Sequence, residues 1–517
     1  MPVPPLLLCV LAAALLPAML LPAAVQKPGL RNPAVATATY DEPLRPRIHF
    51  SPPRNFMNDP NGLVYYQGEY HLFYQYNPHG TTWGHMSWGH AVSRDLLRWE
   101  HLPLALAEAD GVMIFSGSAV VDHANTSGLC RARGADRSCL VAIYTGHGHG
   151  KQTQNLAVSQ DRGRTWTKYA GNPVLDLGLR DFRDPKVFWH GPTRRWVMVT
   201  VLADRHIVRL FGSPNLTSWT ALSDFGPAGA TGGVWECPDL MEVPVENDPG
   251  RTRWVLDVDL NPGGPHGGSG GQYFVGTFDG TRFVSDQAAD QVRWVDHGKD
   301  FYAAISFADL PARDRGPIWM GWIGNWQYAN EEPTITWRGA QSLPRRLSLR
   351  RTPDGWRLVQ QPTGGVSSLM EADASRHQVL RDVLPLPPTA DITFVVTPAD
   401  QSEIGLRLSN AIGEQLLIAV SADRRELSVD RRQSRLGAAP TGYAERHAAP
   451  LRPLPQVPVR VIFDRSVVEV FANEGETVMT DRVYPTQPFT QIEWIGGRRP
   501  ASGSTRLLSL RSVWASR

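Results

Sequence analysis

Three carboxylates in this 517-residue chain stand in proline-containing loops, each directly before a run of β-prone residues: Asp59 in NDPNGLVYY, Asp184 in FRDPKVFW and Glu236 in WECPDLMEV. Taken singly, each is better explained as a turn former, because Asn, Asp, Pro and Gly build tight turns through side-chain hydrogen bonds and special backbone angles. Taken together, they share one phase of a repeating pattern, which predicts equivalent positions in successive structural units. If the strands that follow converge, three carboxyls occupy one pocket. Like charges crowded together raise at least one pKa, so an ionised carboxylate comes to lie beside a protonated acid. Cleavage of a glycosidic bond by two carboxyls uses that pairing. The stretch FSGS, from Phe115, heads another unit at a similar phase and brings Ser116 toward the same mouth.

The elements that must hold these acids read as short strands and turns, with almost no helical periodicity beyond residue 44. LVYYQGEYHLFYQY predicts a hairpin, two aromatic β-prone runs around Gln67 to Glu69. A weak repeat follows: SRDLLRW from Ser93, SQDRGRTW from Ser159, SPNLTSW from Ser213 and TFDGTRF from Thr277 each set a turn before an aromatic residue. Such periodicity in an all-β chain predicts a propeller, each repeat being one four-stranded blade. A fifth unit, DFYAAISF to RRLSLR, closes a five-bladed β-propeller over residues 45–350. A polar Gly- and Ser-containing linker is expected at 351–370, and strands such as ITFVVTP and QLLIAVSA predict a C-terminal β-sandwich over 371–517.

Charge narrows the partners. Fifty-two Lys and Arg stand against 50 Asp and Glu, a net charge of +2 without a long basic run, so neither nucleic acid nor an acidic membrane surface is implied. A neutral substrate fits, and 17 Trp and 13 Tyr supply surfaces on which sugar rings stack. Residues 1–26 read as an export signal and 27–44 as a linker; with no Lys or Arg before the apolar run, an uncleaved anchor is the alternative. Once Cys9 leaves with the signal, Cys130 and Cys139, which flank CRARGADRSC, either close a disulfide or remain two thiols. His85 and His90 in WGHMSWGH lack a carboxylate or Cys at metal-ligand spacing, so no metal and no cofactor is expected.

The ordered series MNDPNG, QYNP, WGHMSWGHA, FSGS, FRDP, WECPDL, DFYAA, NWQYAN and WRGAQSLPR resembles the glycoside hydrolase family of invertases, inulinases and levanases, the β-fructofuranosidases, over residues 45–517. That resemblance implies Asp59 as the nucleophile, Glu236 as the acid and later the base, and Asp184 as a holder of fructose hydroxyls. It also implies that Asn58, Gln75, Trp83, Phe115, Ser116, Arg183 and Trp326 hold the sugar. Hydrogen bonds in the turn should keep Asp59 ionised, an acid-rich neighbourhood should keep Glu236 protonated, and retention would place the two about 5 to 5.5 Å apart. The implied activity is exo-hydrolysis of levan, inulin or sucrose. A fructosyltransferase or a non-catalytic fructan-binding protein are the alternatives. The series departs from its relatives at Ile305 and Gln341, which touch the leaving-group preference and not the acids.

Overall fold

The computed structural model describes Met1 and residues 40–131, 136–371, 383–397, 403–421, 423–496 and 505–514. The expected signal, apart from Met1, and the expected linker up to residue 39 lie outside them.

The predicted hairpin forms. Asn55–Tyr66 pairs antiparallel with Glu69–Asn77, and the two residues between, Gln67 at φ 46° and Gly68 at φ 91°, adopt the left-handed backbone that a tight two-residue hairpin demands. Ser87–Ser93 and Trp99–Leu106 complete this first blade. Four further sheets repeat the meander, with innermost strands Met113–Val121, Phe182–His190, Val234–Pro244 and Tyr302–Ser306. These five strands contact one another in a ring around a central axis.

The sequence repeat is the turn between the third and fourth strands of blades one to four. Asp95 Oδ1 accepts the backbone N–H of Leu97 and Arg98 at 3.0 and 2.8 Å. Asn215 does the same for Thr217 and Ser218, and Asp279 for Thr281 and Arg282. Asp or Asn is needed because its side chain caps the turn while the chain reverses. The ring closes where Trp337–Arg338 pairs in parallel with Asn55–Phe56 of blade one.

The expected boundary at residue 350 is corrected. Arg345–Thr352 continues through a tight turn into Gly355–Pro362, the outermost strand of blade five, so most of the expected linker is propeller. The Gly and Ser that suggested a linker fall later, in the short 3-10 turn Gly364–Leu369. Beyond it, a six-stranded and a five-stranded sheet face each other across an apolar core containing Phe394, Leu406, Ile418, Val461 and Val470. This is the expected sandwich.

Sandwich and propeller meet through buried ions. Glu469 of the sandwich accepts from Arg345 Nη2 at 2.8 Å and lies 2.9 Å from His49 Nε2, while Asp464 lies 2.8 Å from His49 Nδ1. Nearby, Arg431 donates to Asp300 at 2.6 Å. In blade two Cys130 and Cys139 are joined, with the sulfurs 2.02 Å apart. Among the described residues no helix is long and apolar enough to cross a membrane.

Candidate active site

All five innermost strands carry a β-bulge at the same height. The pairing register slips between Met57 and Pro60, Ile114 and Gly117, Arg183 and Lys186, Glu236 and Asp239, and Tyr302 and Ile305. A bulge inserts one unpaired residue and re-aims the side chains beside it. Repeated five times around an axis, it turns a ring of side chains toward one mouth. There they line a pocket of about 290 Å³, formed by Asn58, Asp59, Gln75, Trp83, Phe115, Ser116, Arg183, Asp184, Glu236, Asn261, Trp326 and Asn330. The ten residues singled out in the sequence are thus brought together.

Their registration differs from expectation in one respect. Glu236 does not occupy the position of Asp184. In both strands the last paired residue is followed by a residue in left-handed backbone and then a proline: Arg183, Asp184 (φ 63°), Pro185, and Glu236, Cys237 (φ 47°), Pro238. Cys237 is the counterpart of Asp184, and Glu236 that of Arg183. The two long side chains consequently meet, with Arg183 Nε donating to Glu236 Oε1 at 3.1 Å. A pattern read from acids alone slips by one residue here because the proline, not the carboxylate, marks the bulge.

Asp59 receives Ser116 Oγ on Oδ2 at 2.6 Å and Asn58 Nδ2 on Oδ1 at 2.9 Å. Burial nevertheless dominates, and with the Glu236 charge close by it pushes the Asp59 carboxyl up to about 6 despite both hydrogen bonds. Asp59 is therefore ionised at neutral pH, but by a narrower margin than its turn suggests. Asp184 is pushed to about 7 by burial, against the opposing charge of Arg183 and a hydrogen bond from the Cys237 N–H at 2.9 Å. Glu236 Oε2 receives the Tyr302 hydroxyl at 2.5 Å. Cys237 Sγ lies 3.7 Å from Asp59 Oδ2 and 3.8 Å from Asp184 Oδ2, and burial among carboxylates pushes its thiol far up, so it is a neutral group between two acids.

The pocket is blind. Beneath the acids, Asn61 bridges the Asp59 carbonyl and the Gly117 N–H, each at 2.9 Å. Ser118 donates to the Pro185 carbonyl at 2.8 Å, and Lys186 reaches Asp239 and Ser306. These side chains are buried and plug the axis. Aromatic rings form the rim: Trp83 is 41% exposed, Phe115 lies edge-on to it, and Trp326 packs on Phe56 and Trp322.

Residues 49–362 match the N-terminal domain of glycosyl hydrolases family 32, and residues 367–514 match the C-terminal domain of the same family. The chain belongs to glycosyl hydrolases family 32. It is 45% identical over 501 residues to a levanase of Bacillus subtilis, covering 93% of this chain and 72% of that one. It is 40% identical over 495 residues to an extracellular exo-inulinase of Aspergillus awamori, covering 86% and 90%. The crystal structure of the Aspergillus awamori exo-inulinase superimposes with a TM-score of 0.86 at 36% identity, over 92% of this chain and all of that one. A Schwanniomyces occidentalis fructofuranosidase complexed with fructose gives 0.83 at 34%, over 93% and 100%. This family 32 protein is a glycoside hydrolase of the β-fructofuranosidase type.

Three residues at the site of this hydrolase escaped the sequence reading. Tyr302 sits in DFYAA, but nothing local shows that its hydroxyl reaches across to blade four. Asn261 ends the strand Thr252–Asn261 and Asn330 lies in the 3-10 turn Ala329–Glu331, where it accepts the Trp83 N–H at 2.8 Å, fixing the rim. Gln341 is fully buried and donates to the Asn58 carbonyl at 2.7 Å. It supports the Asn58–Asp59 bulge from behind. Ile305 lines a small void under the acids. Neither Ile305 nor Gln341 lines the pocket that holds the acids. Among the described residues no metal-binding cluster occurs; His85 is exposed beside Glu108, and His90 is buried against Phe73 and His71.

Proposed function

We propose that this hydrolase removes single terminal β-D-fructofuranosyl units from fructans, and from sucrose, with retention at the anomeric carbon. The observation that carries this reading is the blind pocket of about 290 Å³ with the three acids at its end. Its volume lies at the small end of the roughly 300–1,000 Å³ typical of ligand pockets, and its plugged floor admits a chain end but not a chain passing through.

Asp59, oriented by Ser116 and Asn58, attacks the anomeric carbon. The glycosidic C–O bond breaks as Glu236 delivers its proton to the leaving oxygen, giving a fructosyl ester on Asp59. Water then loses a proton to Glu236, bonds to the same carbon and releases Asp59. Tyr302 and Arg183 hold the Glu236 carboxyl in one orientation throughout. Asp184 accepts from fructose hydroxyls and offsets positive charge on the ring. Export fits the Cys130–Cys139 bond and the extracellular exo-inulinase relatives.

Incubation with inulin and levan, with products resolved over time, tests the exo assignment. Free fructose as the sole early product agrees with it, and oligomers at the earliest times contradict it. Proton NMR of the first turnover reads the anomer: β-fructose supports retention, and α-fructose rules it out.

A further inference from the structure

Where blades four and five meet the sandwich lies a cavity of about 770 Å³, sharing no lining residue with the pocket that holds the acids and larger than it. Five arginines line it, Arg293, Arg357, Arg424, Arg425 and Arg452, against two carboxylates, Asp354 and Glu476. Those carboxylates do not balance the charge. Glu476 is taken by Arg452, at 2.8 and 2.6 Å, and by Arg350 at 3.5 Å. Asp354 is mostly in solvent and 3.8 Å from Arg357. Arg424 turns to Glu403 at 3.1 Å, outside the cavity. Among the described residues Arg293 and Arg425 have no carboxylate within 4.0 Å.

Arg293 is the decisive residue. Its Nη2 donates to the Asp354 carbonyl at 3.0 Å, but Nε and Nη1 are buried with no acceptor. Buried donors left unsatisfied are uncommon in folded proteins, and those of a charged guanidinium are costly. Burial, with Arg357 and Arg351 close by, holds the Arg293 pKa below its ordinary value. His266, on the same cavity wall, also has a buried ring nitrogen, Nε2, without a partner. Even the backbone makes room: a Cβ on Gly355, at φ 97°, would stand 2.9 Å from Arg293 Nη2.

We propose that this interdomain cleft is a binding site for a phosphate dianion, free or carried on a small organic group, held by Arg293 and Arg357 of the propeller and Arg425 of the sandwich. A tetrahedral oxyanion presents acceptors in several directions at once, which suits donors converging from two domains. A planar carboxylate offers them in one plane. Arginine is the side chain best matched to such oxygens. The anion would join propeller to sandwich as a third component of their interface.

Isothermal titration of the full chain with inorganic phosphate, and separately with a hexose 6-phosphate, tests this at an ionic strength fixed by chloride. We expect saturable one-to-one binding that weakens at least about tenfold in Arg293→Gln, with the kcat for sucrose unchanged as a check on folding. Heat from both probes shows that the phosphate group suffices; heat from the hexose phosphate alone shows that the organic group also contacts the cleft. Absence of saturable binding to either probe overturns the proposal, as does undiminished affinity in Arg293→Gln. Should that variant not fold, Arg425→Gln, on an exposed turn, must show the same loss, and undiminished affinity there overturns the site.

Discussion

Two groups of buried carboxylates in this protein titrate in opposite directions. At the mouth of the propeller, burial pushes Asp59 up to about 6 and Asp184 up to about 7. At the interface with the sandwich, burial also pushes Glu469 up, but the Arg345 charge and the hydrogen bond to His49 outweigh it and bring the carboxyl down to about 2. Asp464 and Asp481 are lowered in the same way, each beside a histidine. His49 shows the reciprocal effect: burial pulls it down, yet Asp464 and Glu469 raise it to about 9. Desolvation is common to both groups; it outweighs the counter-charge of Arg183 at Asp184 and is outweighed by counter-charge at Glu469. Glu469, Asp464 and Asp481 are held ionised by the cations beside them, whereas burial outweighs the arginine beside Asp296 and beside Glu332 and raises both. At the mouth Arg183 faces Asp184 and Glu236, and the pKa values of Asp59 and Asp184 stay within reach of catalysis.

Removing the proposed nucleophile separates the two groups most sharply. Asp59→Asn should lower kcat by roughly 10⁴-fold or more, as loss of a covalent nucleophile does. It should not lower Tm at neutral pH. The sign follows from linkage: a carboxyl whose folded pKa is raised from 3.8 to about 6 favours folding when protonated, and that contribution is lost as pH rises through about 6. The amide carries no such penalty. Thermal melts of both proteins at pH 7 check it, and a markedly less stable variant with full activity would break the comparison at its root.

The interface should respond the other way. Glu469→Gln leaves Arg345 and His49 buried beside a weaker partner, and breaking a buried pair from one side costs about 3–5 kcal/mol. Denaturant unfolding should show that loss, while kcat per folded molecule stays near wild type. In the wild type the contribution of Glu469 is present above its ordinary pKa and disappears as pH falls through about 2. That of His49 is complete below its ordinary value of 6.5 and disappears as pH rises through about 9.

A smaller change tests what orients the reactive acid. Ser116→Ala removes one charge-assisted hydrogen bond to Asp59, worth about 1.5–3 kcal/mol, so kcat/KM should fall roughly 10- to 100-fold. Ser116 also opposes the burial that raises Asp59, so the acid limb of the pH profile, which falls as pH drops through about 6, should move to higher pH. A fall in rate with an unmoved limb would show that Ser116 binds sugar and does not tune the nucleophile.

Much of this was legible in the sequence wherever the chemistry is local. Blades one to four announce themselves because Asp95, Asp161, Asn215 and Asp279 cap turns with their own side chains, a requirement that fixes residue type at a recurring place. Blade five has no such marker in its last turn, and its outermost strand, Gly355–Pro362, was read as linker. The acids were found by their loops, but their registration was not. Whether a bulge places Asp184 or Arg183 opposite Glu236 depends on pairing with a strand about 20 residues away. The interface acids were wholly illegible. Glu469 meets His49 across 420 positions, and nothing near either residue implies the other.

Cys237 lies where the comparison is finest. It occupies in blade four the position that Asp184 holds in blade three, yet carries a thiol in place of a carboxyl. A fourth carboxylate at that point would crowd Asp59 and Asp184, whose oxygens lie within 4 Å of Cys237 Sγ. A neutral S–H fills the space and can donate weakly to either acid. Cys237→Ala should therefore cost only a few-fold in kcat/KM and shift the acid limb upward slightly, whereas Cys237→Asp should raise the carboxyl pKa values further and move that limb well above 6. Parallel pH profiles of the two variants decide it. An aspartate at this position with a wild-type profile would mean that charge crowding does not set the titration of the mouth.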